Sequence, residues 1–169
     1  MDLQPTLKGI LITLTPLALN DFDTIYSIGR DPEIWAQHPN HDRYVRKNFE
    51  RYFQGAVDSK GAFKVNDNET GKIIGCTRYY NFDPKQKMVM IGYTFLATNF
   101  WGGSYNREMK ELMINHAFEY VDRIYFEVGS QNMRSQKALQ KIGAKFLKET
   151  LNEELPHHVY EMTKHSWNG

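Results

Sequence analysis

The segment from residue 88 to residue 128 constrains the fold of this chain more than any other. An apolar strand pattern over residues 88–96 is followed by the turn WGGSYN, a strongly amphipathic helix pattern and a second strand pattern over residues 123–128. A strand, a crossover helix and a second strand form a βαβ unit, whose strands are parallel and whose connection is right-handed. The segment therefore predicts a sheet that contains at least one parallel pair.

Strand and helix patterns flank this unit on both sides. Alternating patterns predict strands over residues 10–15, 62–65, 72–80, 145–151 and 157–164, and helical periodicity or capping residues predict helices over residues 20–29, 43–59 and 132–142. Such a mixed order predicts an α/β sandwich with a partly antiparallel sheet. The chain of 169 residues contains no repeat and no linker, so we predict a single domain over residues 1–169.

Composition and charge argue against several classes of protein. Lys and Arg number 21 against 20 Asp and Glu, and a net charge of +1 argues against a dedicated nucleic-acid-binding protein. No stretch approaches the roughly 18 uninterrupted apolar residues of a membrane helix, and the apolar N-terminal patch is typical of a strand rather than a signal peptide. Cys76 is the only cysteine, which fits a reducing compartment and favours a cytoplasmic location.

No metal site is predicted. His157 and His158 are adjacent on a predicted strand, so their side chains alternate between its faces, and two ligands are too few for a zinc site. His116 lies on the apolar stripe of its helix, where we favour a packing role over proton transfer.

The turn before the central helix has the features of a phosphate site. The first N–H groups of a helix have no partner inside the helix, and the helix dipole adds positive potential at the same point. Gly102 and Gly103 allow the backbone to approach a ligand closely, and Arg107 could add charge. A simple tight turn is the alternative, because pairs of glycines are common.

Two patterns in this part of the chain resemble one family. The strand end Ile91, Gly92 and Tyr93 is followed by Trp101, Gly102, Gly103, Ser104, Tyr105, Asn106, Arg107 and Glu108, and a second pattern comprises Asn132, Ser135, Gly143 and Ala144. With these residues the chain resembles the GNAT superfamily of N-acetyltransferases, in the branch related to ribosomal-protein N-terminal acetyltransferases. The resemblance extends to GKIIGCTR (residues 71–78) and to the predicted first strand and helix, so it covers nearly the whole chain in order.

The resemblance implies a fold and an activity. The fold would be a mixed, mostly antiparallel central sheet with helices on both faces and a splay between its fourth and fifth strands. The activity would be transfer of an acetyl group from acetyl-CoA to a primary amine, on a peptide or protein N-terminus or on a small molecule, by direct attack. The expected partners are this amine acceptor and neither nucleic acid nor membrane, and a homodimer is left open.

The resemblance also implies which residues bind acetyl-CoA. The free backbone of Phe95 and Leu96 would hold the pantetheine arm and polarise the thioester. The backbone N–H groups that would bind the pyrophosphate belong to Gly102, Gly103, Ser104, Tyr105, Asn106 and Arg107. Asn132 would contact the arm; the alternative is a helix cap, and one residue could do both.

Catalytic and acceptor residues are less clearly marked. Ser135 lies one helical turn after Asn132 and could protonate the departing thiolate, or simply pack near a helix start. Trp35, His38 and His41 lie in a loop that borders the acceptor groove in the family, where they could shape the pocket or pack.

Four positions depart from the family pattern. Ser104 and Asn106 replace small residues with small residues, so the turn can survive. Met90 stands where related enzymes often have a glutamate base, and Leu139 stands where many have a tyrosine acid. The alternative is therefore a non-catalytic CoA-binding or sensor module. If the chain is an enzyme without an obvious base, an α-amine or another amine with a pKa below that of lysine is favoured as the acceptor. Glu108, His116 or a loop histidine could still be recruited as the base.

Overall fold

Strands and helices alternate along the computed structural model, which describes residues 1–167. The strands are β1 (Leu7–Lys8), β2 (Ile12–Pro16), β3 (Ala62–Asp67), β4 (Ile73–Asp83), β5 (Met88–Leu96), β6 (Arg123–Gly129), β7 (Lys145–Asn152) and β8 (Leu155–Thr163). The α-helices are α1 (Phe22–Gly29), α2 (Pro32–Trp35), α3 (Arg46–Asp58), α4 (Tyr105–Ala117) and α5 (Met133–Lys141), and Leu19–Asp21 and Thr98–Phe100 form 3-10 turns. The predicted domain extends to Asn168 and Gly169, which lie outside the described residues.

All of these strands belong to one eight-stranded sheet, in the order β1-β2-β3-β4-β5-β6-β8-β7. Every neighbouring pair is antiparallel except β5 and β6, which are parallel and are connected through α4. This arrangement confirms the predicted α/β class, the mostly antiparallel sheet and the parallel pair of the βαβ unit.

The strands β5 and β6 separate after a short stretch of pairing. Their register runs from Met88 opposite Arg123 to Met90 opposite Tyr125, and residues 91–96 have no partner on the β6 side. Because β1 precedes the first strand that was predicted, β5 and β6 are the fourth and fifth strands of the prediction. The predicted splay between these two strands is confirmed.

A bulge in β5 lies where the two strands separate. The register with β4 shifts between Gly92 and Phe95, where β5 has one more residue than its partner. Tyr93 adopts a left-handed conformation there, with a φ of 52°, and its carbonyl accepts a hydrogen bond of 2.6 Å from the hydroxyl of Tyr52 on α3. Because a bulge bends and twists its strand, we attribute the separation of β5 from β6 to this bulge.

Helices cover both faces of the sheet, as predicted. On one face, Met109 and Met113 of α4 and Leu139 of α5 join the larger apolar core. On the other face, Ile25 of α1 and Phe49 of α3 join a second core that is rich in aromatic rings. The gap between β5 and β6 can therefore be approached from two sides that are bordered by different helices.

The helices differ from the prediction near the N-terminus. A 3-10 turn precedes α1, which begins at Phe22 rather than next to Asn20. α2 lies in a stretch that was predicted as a loop, and it is capped by Asp31, whose side chain accepts from the N–H of Glu33 at 2.9 Å. Within residues 1–167, no helix has both the length and the apolar character required to cross a bilayer.

Candidate active site

The gap between β5 and β6 gives the end of β5 a free edge. The side chain of Phe95 packs in the second core and does not reach this edge. The carbonyl of Leu96 accepts a hydrogen bond of 2.9 Å from the indole N–H of Trp101. An unpaired strand edge can bind an extended ligand through its backbone groups, as it would bind another strand.

The start of α4 presents backbone N–H groups that have no partner among the described residues. Within residues 1–167 no hydrogen bond is made by the backbone N–H of Gly102, Gly103, Ser104, Tyr105, Asn106 or Arg107. Gly102 has a φ of +75°, which favours glycine, and a Cβ built on Gly103 would meet nothing within 4 Å. The turn is thus open to a ligand, and the geometry fits a phosphate group.

Two side chains of this turn have structural partners. The hydroxyl of Tyr105 donates to Asp67 at 3.3 Å, and its ring packs edge-on against Phe100. The guanidinium of Arg107 is paired with Glu111 at 2.7 Å, so its charge is partly neutralised. The backbone N–H groups therefore account for most of the capacity of this turn to bind an anion.

Lys110 is a buried cation in the same gap, and no sequence pattern predicted it. Its ammonium donates to the hydroxyl of Thr94 on β5 at 3.0 Å and lies 5.8 Å from the ring centre of Phe126 on β6. Thr94 and Phe126 both lie beyond the last β5–β6 pair. Burial lowers the pKa of Lys110 to about 8.

The first turn of α5 contains both of its predicted site residues. Asn132 caps the helix, since its side-chain oxygen accepts from the N–H of Ser135 at 3.3 Å, and the helix-cap interpretation is confirmed. The side-chain nitrogen of Asn132 and the half-buried hydroxyl of Ser135 make no hydrogen bond within residues 1–167. Leu139, one turn further on, is buried in the larger core.

Arg134 connects this turn to both sides of the gap. Its guanidinium lies 3.7 Å from the ring centre of Trp101 and donates to the carbonyl of Ile34 at 3.2 Å. Its backbone N–H donates to the side chain of Gln37 at 3.1 Å. The start of α5, the turn before α4 and the residues around α2 therefore meet at one side chain.

A cavity of about 110 Å³ opens onto the gap from the face opposite Lys110. Ile124 and Phe126 of β6 point into the core under α4 and α5, so Glu127 lies on the other face of the strand. The cavity is lined mainly by polar and aromatic side chains, which are those of His38, Asn40, Arg43, Tyr80, Tyr93, Glu127, Asn152, Glu153 and His157.

The loop between α2 and α3 forms one wall of this cavity. A Cβ built on Gly129 would lie 2.5 Å from the ring of Pro39, so the packing of the loop against the end of β6 requires a glycine. The guanidinium of Arg43 lies 5.1 Å from the ring centre of Trp35 and 5.0 Å from that of Tyr52. These contacts hold a cation at the side of the cavity.

The opposite wall is formed by the strands β6 and β8 and by the turn between β7 and β8. Gly129 faces His157 across the β6–β8 pair, so Glu127 and His157 lie on the same face. His157 is 8% exposed and its Nδ1 donates to the carbonyl of Leu155 at 2.9 Å. This bond places the proton on Nδ1 and leaves the lone pair of Nε2 free to accept a proton.

Glu153 belongs to a strained turn. Glu153 and Glu154 connect β7 to β8 with φ values of 49° and 64°, a conformation that hairpins usually reserve for Asn and Gly. Strained backbone tends to occur at functional sites. The turn adds a second carboxylate to the cavity wall.

Comparison with known proteins agrees with this geometry. Residues 12–145 match the family described as acetyltransferase (GNAT) domain. The chain belongs to the GNAT family. This member of an acetyltransferase family therefore has a splay between β5 and β6 and an open start of α4.

Solved GNAT structures share the fold at low identity. A GCN5-related N-acetyltransferase from Brucella melitensis has a TM-score of 0.81 at 18% identity, with 97% of this chain and 80% of that chain covered. RimJ from Mycobacterium smegmatis, solved in complex with CoA-disulfide, has a TM-score of 0.75 at 16% identity, covering 98% and 88%. The microcin C7 self-immunity acetyltransferase MccE, solved with acetyl-CoA and AMP, has a TM-score of 0.76 at 14% identity, covering 96% and 98%. No curated protein sequence is significantly similar.

Only one of the three acceptor residues predicted for this GNAT protein lines the cavity. His38 does so, whereas Trp35 is 3% exposed and donates its indole N–H to the carbonyl of Gly29 at 2.7 Å. His41 is exposed and lies outside the cavity lining. In residues 1–167 no three His, Cys, Asp or Glu side chains are grouped so that they could hold a metal ion.

Two residues considered as bases have structural partners instead. The carboxylate of Glu108 accepts three backbone N–H groups, from residues 10, 11 and 12, at 2.8 to 2.9 Å. His116 contacts the carbonyl of Asp2 through Nε2 at 2.9 Å and packs against Tyr79. The ionisable groups at the cavity, above all Glu127 and His157, were missed because neither has a local sequence signal; only their positions on one face of neighbouring strands bring them together.

Gly129→Ala tests how the loop is held against the sheet. The added methyl group would be 2.5 Å from Pro39, and we expect the free energy of unfolding to fall by about 1–3 kcal/mol, the usual cost of overpacking. Gly103→Ala is the matched control, since its Cβ would meet nothing within 4 Å, and its stability should change by less than about 0.5 kcal/mol. Urea denaturation measures both, and equal stability of the two variants would contradict the packing described here.

Proposed function

We propose that this chain is an acetyl-CoA-dependent N-acetyltransferase that transfers the acetyl group to a primary amine by direct attack. The observation that carries the proposal is that one gap, between β5 and β6, is bordered by an open helix N-terminus on its donor side and by an ionisable cavity on its other side. Such an arrangement allows a donor and an acceptor to reach the same point from opposite directions.

The donor site is supported by the chain's own geometry. The free N–H groups from Gly102 to Arg107 would hold the pyrophosphate, and the β5 edge at Phe95 and Leu96 would hold the pantetheine arm. Acetyl-CoA supplies an activated thioester carbonyl when bound. RimJ and MccE, which share the fold, were solved with CoA-disulfide and with acetyl-CoA, which adds support.

His157 is the proposed general base, with Glu127 as the second candidate. The lone pair of Nε2 can take a proton from the acceptor ammonium, because Nδ1 is committed to the carbonyl of Leu155. Glu127 lies on the same face and can hold the ammonium before it is deprotonated. A base at this cavity weakens the case for α-amine acceptors, which rested on Met90 replacing a glutamate.

The proposed general acid is Ser135, with Lys110 as the competing candidate. The hydroxyl of Ser135 is half-buried and has no partner within residues 1–167. Lys110 has a pKa of about 8 and lies in the gap itself, so its ammonium can also give a proton to a departing thiolate. Asn132 would orient the donor arm through its free amide nitrogen.

Several finer features remain predictions. Kinship with ribosomal-protein N-terminal acetyltransferases is supported by the similarity to RimJ. A single domain is supported by one sheet that takes strands from residues 7 to 163. The cytoplasmic location rests on the single free thiol of Cys76, and a homodimer is open to a sedimentation measurement. The alternative function, a CoA-binding sensor without turnover, would leave the ionisable cavity without a role.

Turnover of acetyl-CoA against an amine panel tests the function itself. Peptides with free N-termini, N-blocked lysine peptides, polyamines and small amines are compared by release of the CoA thiol, and we expect at least one class to be acetylated. Gly103→Pro should weaken CoA binding by about tenfold or more in calorimetry, because proline removes an N–H and fixes φ. Gly103→Ala is the control. CoA binding without turnover of any amine would favour the sensor, and unchanged binding by a folded Gly103→Pro variant would exclude the donor site.

The pH dependence of kcat/KM identifies the base. A base must be deprotonated to act, so kcat/KM rises with pH, and His157→Gln should lower kcat/KM by roughly 10²- to 10⁴-fold and remove this rise. If Glu127→Gln removes the rise and His157→Gln does not, the roles are reversed. Burial and the nearby Arg43 lower the pKa of His38 to about 3, so His38 stays neutral and His38→Gln should keep the shape of the profile.

The acid is identified by comparing two substitutions at different pH values. We expect Ser135→Ala to lower kcat by roughly 10- to 100-fold, by the same factor on both sides of pH 8, because a hydroxyl does not titrate in this range. Lys110 has a pKa of about 8, so if it is the acid, kcat of the wild type falls above about pH 8 and Lys110→Met loses this fall. Normal turnover by Ser135→Ala would leave Ser135 with a packing role.

A further inference from the structure

Arg43 and Arg78 are cations beside the cavity that lack an acidic partner. Within residues 1–167 neither guanidinium is within salt-bridge distance of a carboxylate. Both lie against the ring of Tyr52, with Arg43 at 5.0 Å and Arg78 at 5.4 Å from its centre. Two unpaired cations at one aromatic residue create a strongly positive region at this wall.

Arg78 is nearly inaccessible to water. It is 6% exposed, its Nε has no hydrogen-bond partner in the described part of the chain, and its Nη2 makes one long contact of 3.4 Å with the carbonyl of Tyr52. Its guanidinium lies 3.7 Å from the ring centre of Tyr93, which lines the cavity. Burying a cation without a counter-ion lowers the stability of the folded state. Arg78 therefore has a stability cost, and it lies directly behind the cavity wall.

Arg43 lines the cavity and also lacks a good acceptor. Its Nη1 lies 3.3 Å from Nε2 of His38, while the N–H of Asn40 points at Nδ1 of the same ring at 3.0 Å. His38 is neutral, because its pKa is lowered to about 3, and a neutral imidazole accepts at only one nitrogen. One of these two N–H groups therefore faces a donor, and the site has an unmet demand for hydrogen-bond acceptors.

The opposite wall of the cavity carries negative charge. Glu127 and Glu153 line it from β6 and from the β7–β8 turn. The cavity thus separates two carboxylates from a pair of guanidinium groups. A ligand with one cationic and one anionic group would satisfy both walls, whereas a polyamine would place a second cation against Arg43.

We infer that the acceptor carries an oxyanion, a carboxylate or a phosphate, within a few bonds of its primary amine, and that Arg43 binds this oxyanion. Arg78 is a positioning residue that fixes Tyr93 and adds positive potential from behind. The inference rests on the proposed function, because it assigns the acceptor of the same site. The cavity has a volume of about 110 Å³, which is that of roughly three to four water molecules. It therefore holds only the end of the acceptor that carries the amine and the neighbouring oxyanion.

Binding of small anions tests the inference without any turnover. Acetate and inorganic phosphate are titrated into the full chain, and acetamide serves as the neutral isostere of acetate, with ring signals of His38 and His157 followed by NMR. We expect acetate to bind more tightly than acetamide, and Arg43→Gln to weaken acetate by about 10- to 100-fold, the loss of a charge-assisted hydrogen bond. Arg46→Gln, which removes an exposed arginine from α3, is the matched control and should leave acetate binding unchanged.

Kinetics then identify the source of the oxyanion. A free α-amino acid, its carboxamide and a primary amine bearing a phosphate are compared as acceptors, and kcat/KM is measured for wild type and Arg43→Gln. The wild-type to variant ratio cancels differences in amine reactivity, so it should be about 10 to 100 for the preferred anionic acceptor and near 1 for the carboxamide. Arg78→Lys keeps the positive charge but loses the planar guanidinium that stacks on Tyr93. We expect it to raise KM more than it lowers kcat.

The outcomes separate this inference from the proposed function. The anion site would be overturned if acetate bound no better than acetamide and inorganic phosphate showed no binding that depends on Arg43. An Arg43→Gln effect on both anions no larger than that of Arg46→Gln would overturn it as well. Binding of acetate that depends on Arg43, together with no acetyl transfer to any amine, would retain the anion site and remove the acetyltransferase proposal. Efficient transfer to amines without an anion, insensitive to Arg43→Gln, would retain the enzyme and remove this substrate class.

Discussion

The end of the parallel ladder between β5 and β6, at Met90 and Tyr125, is the constraint on which the candidate site depends. The interruption affects one edge only, because β5 remains paired with β4 along its length. The hydroxyl of Tyr52 supplies a hydrogen bond to the carbonyl of Tyr93 at the bulge, so the irregular backbone is not left unsatisfied there. A single hydrogen bond from α3 thus helps to hold open the space that both reaction partners would need.

Buried charges that oppose folding lie on the two sides of this space. Among residues 1–167, Lys110 on one side and Arg78 on the other are buried cations with no carboxylate partner, whereas the rest of both cores is almost entirely apolar. A buried charge that is not neutralised opposes folding. Aromatic rings offset part of that cost, since Arg78 stacks on Tyr93 at 3.7 Å. Proteins commonly break local rules of stability at functional sites, and the position of these residues follows that pattern.

Local patterns were sufficient for much of the fold. The limits predicted for β5, residues 88–96, match the structure, because alternation and the flanking turns are both clear in that segment. β1 was missed since it is only two residues long, and the turn that follows it is held by Glu108, about a hundred positions away. α2 was missed because a single turn has no periodicity. The amphipathic pattern of α4 did not predict that Lys110 is buried.

The donor half of the site could be predicted, and the acceptor half largely could not. A glycine turn before a helix is a contiguous signal, so the open N–H groups after Trp101 were expected. Glu127, Glu153 and His157 come from separate strands and a turn, and only the register between β6, β7 and β8 brings them to one cavity. The sequence gives little information about such a cluster of side chains, since each residue has no distinctive pattern around it.

Arg134 gives the molecule a mechanical property that neither half of the site has alone. Its side chain is stacked on Trp101, which in turn holds the carbonyl of Leu96, and it also holds the residues around α2 through Ile34 and Gln37. Any displacement of the loop that walls the cavity strains contacts that end on the free edge of β5. The two entrances to the gap are therefore joined by one continuous chain of polar and stacking contacts, so we expect a change in width at one entrance to be transmitted to the other.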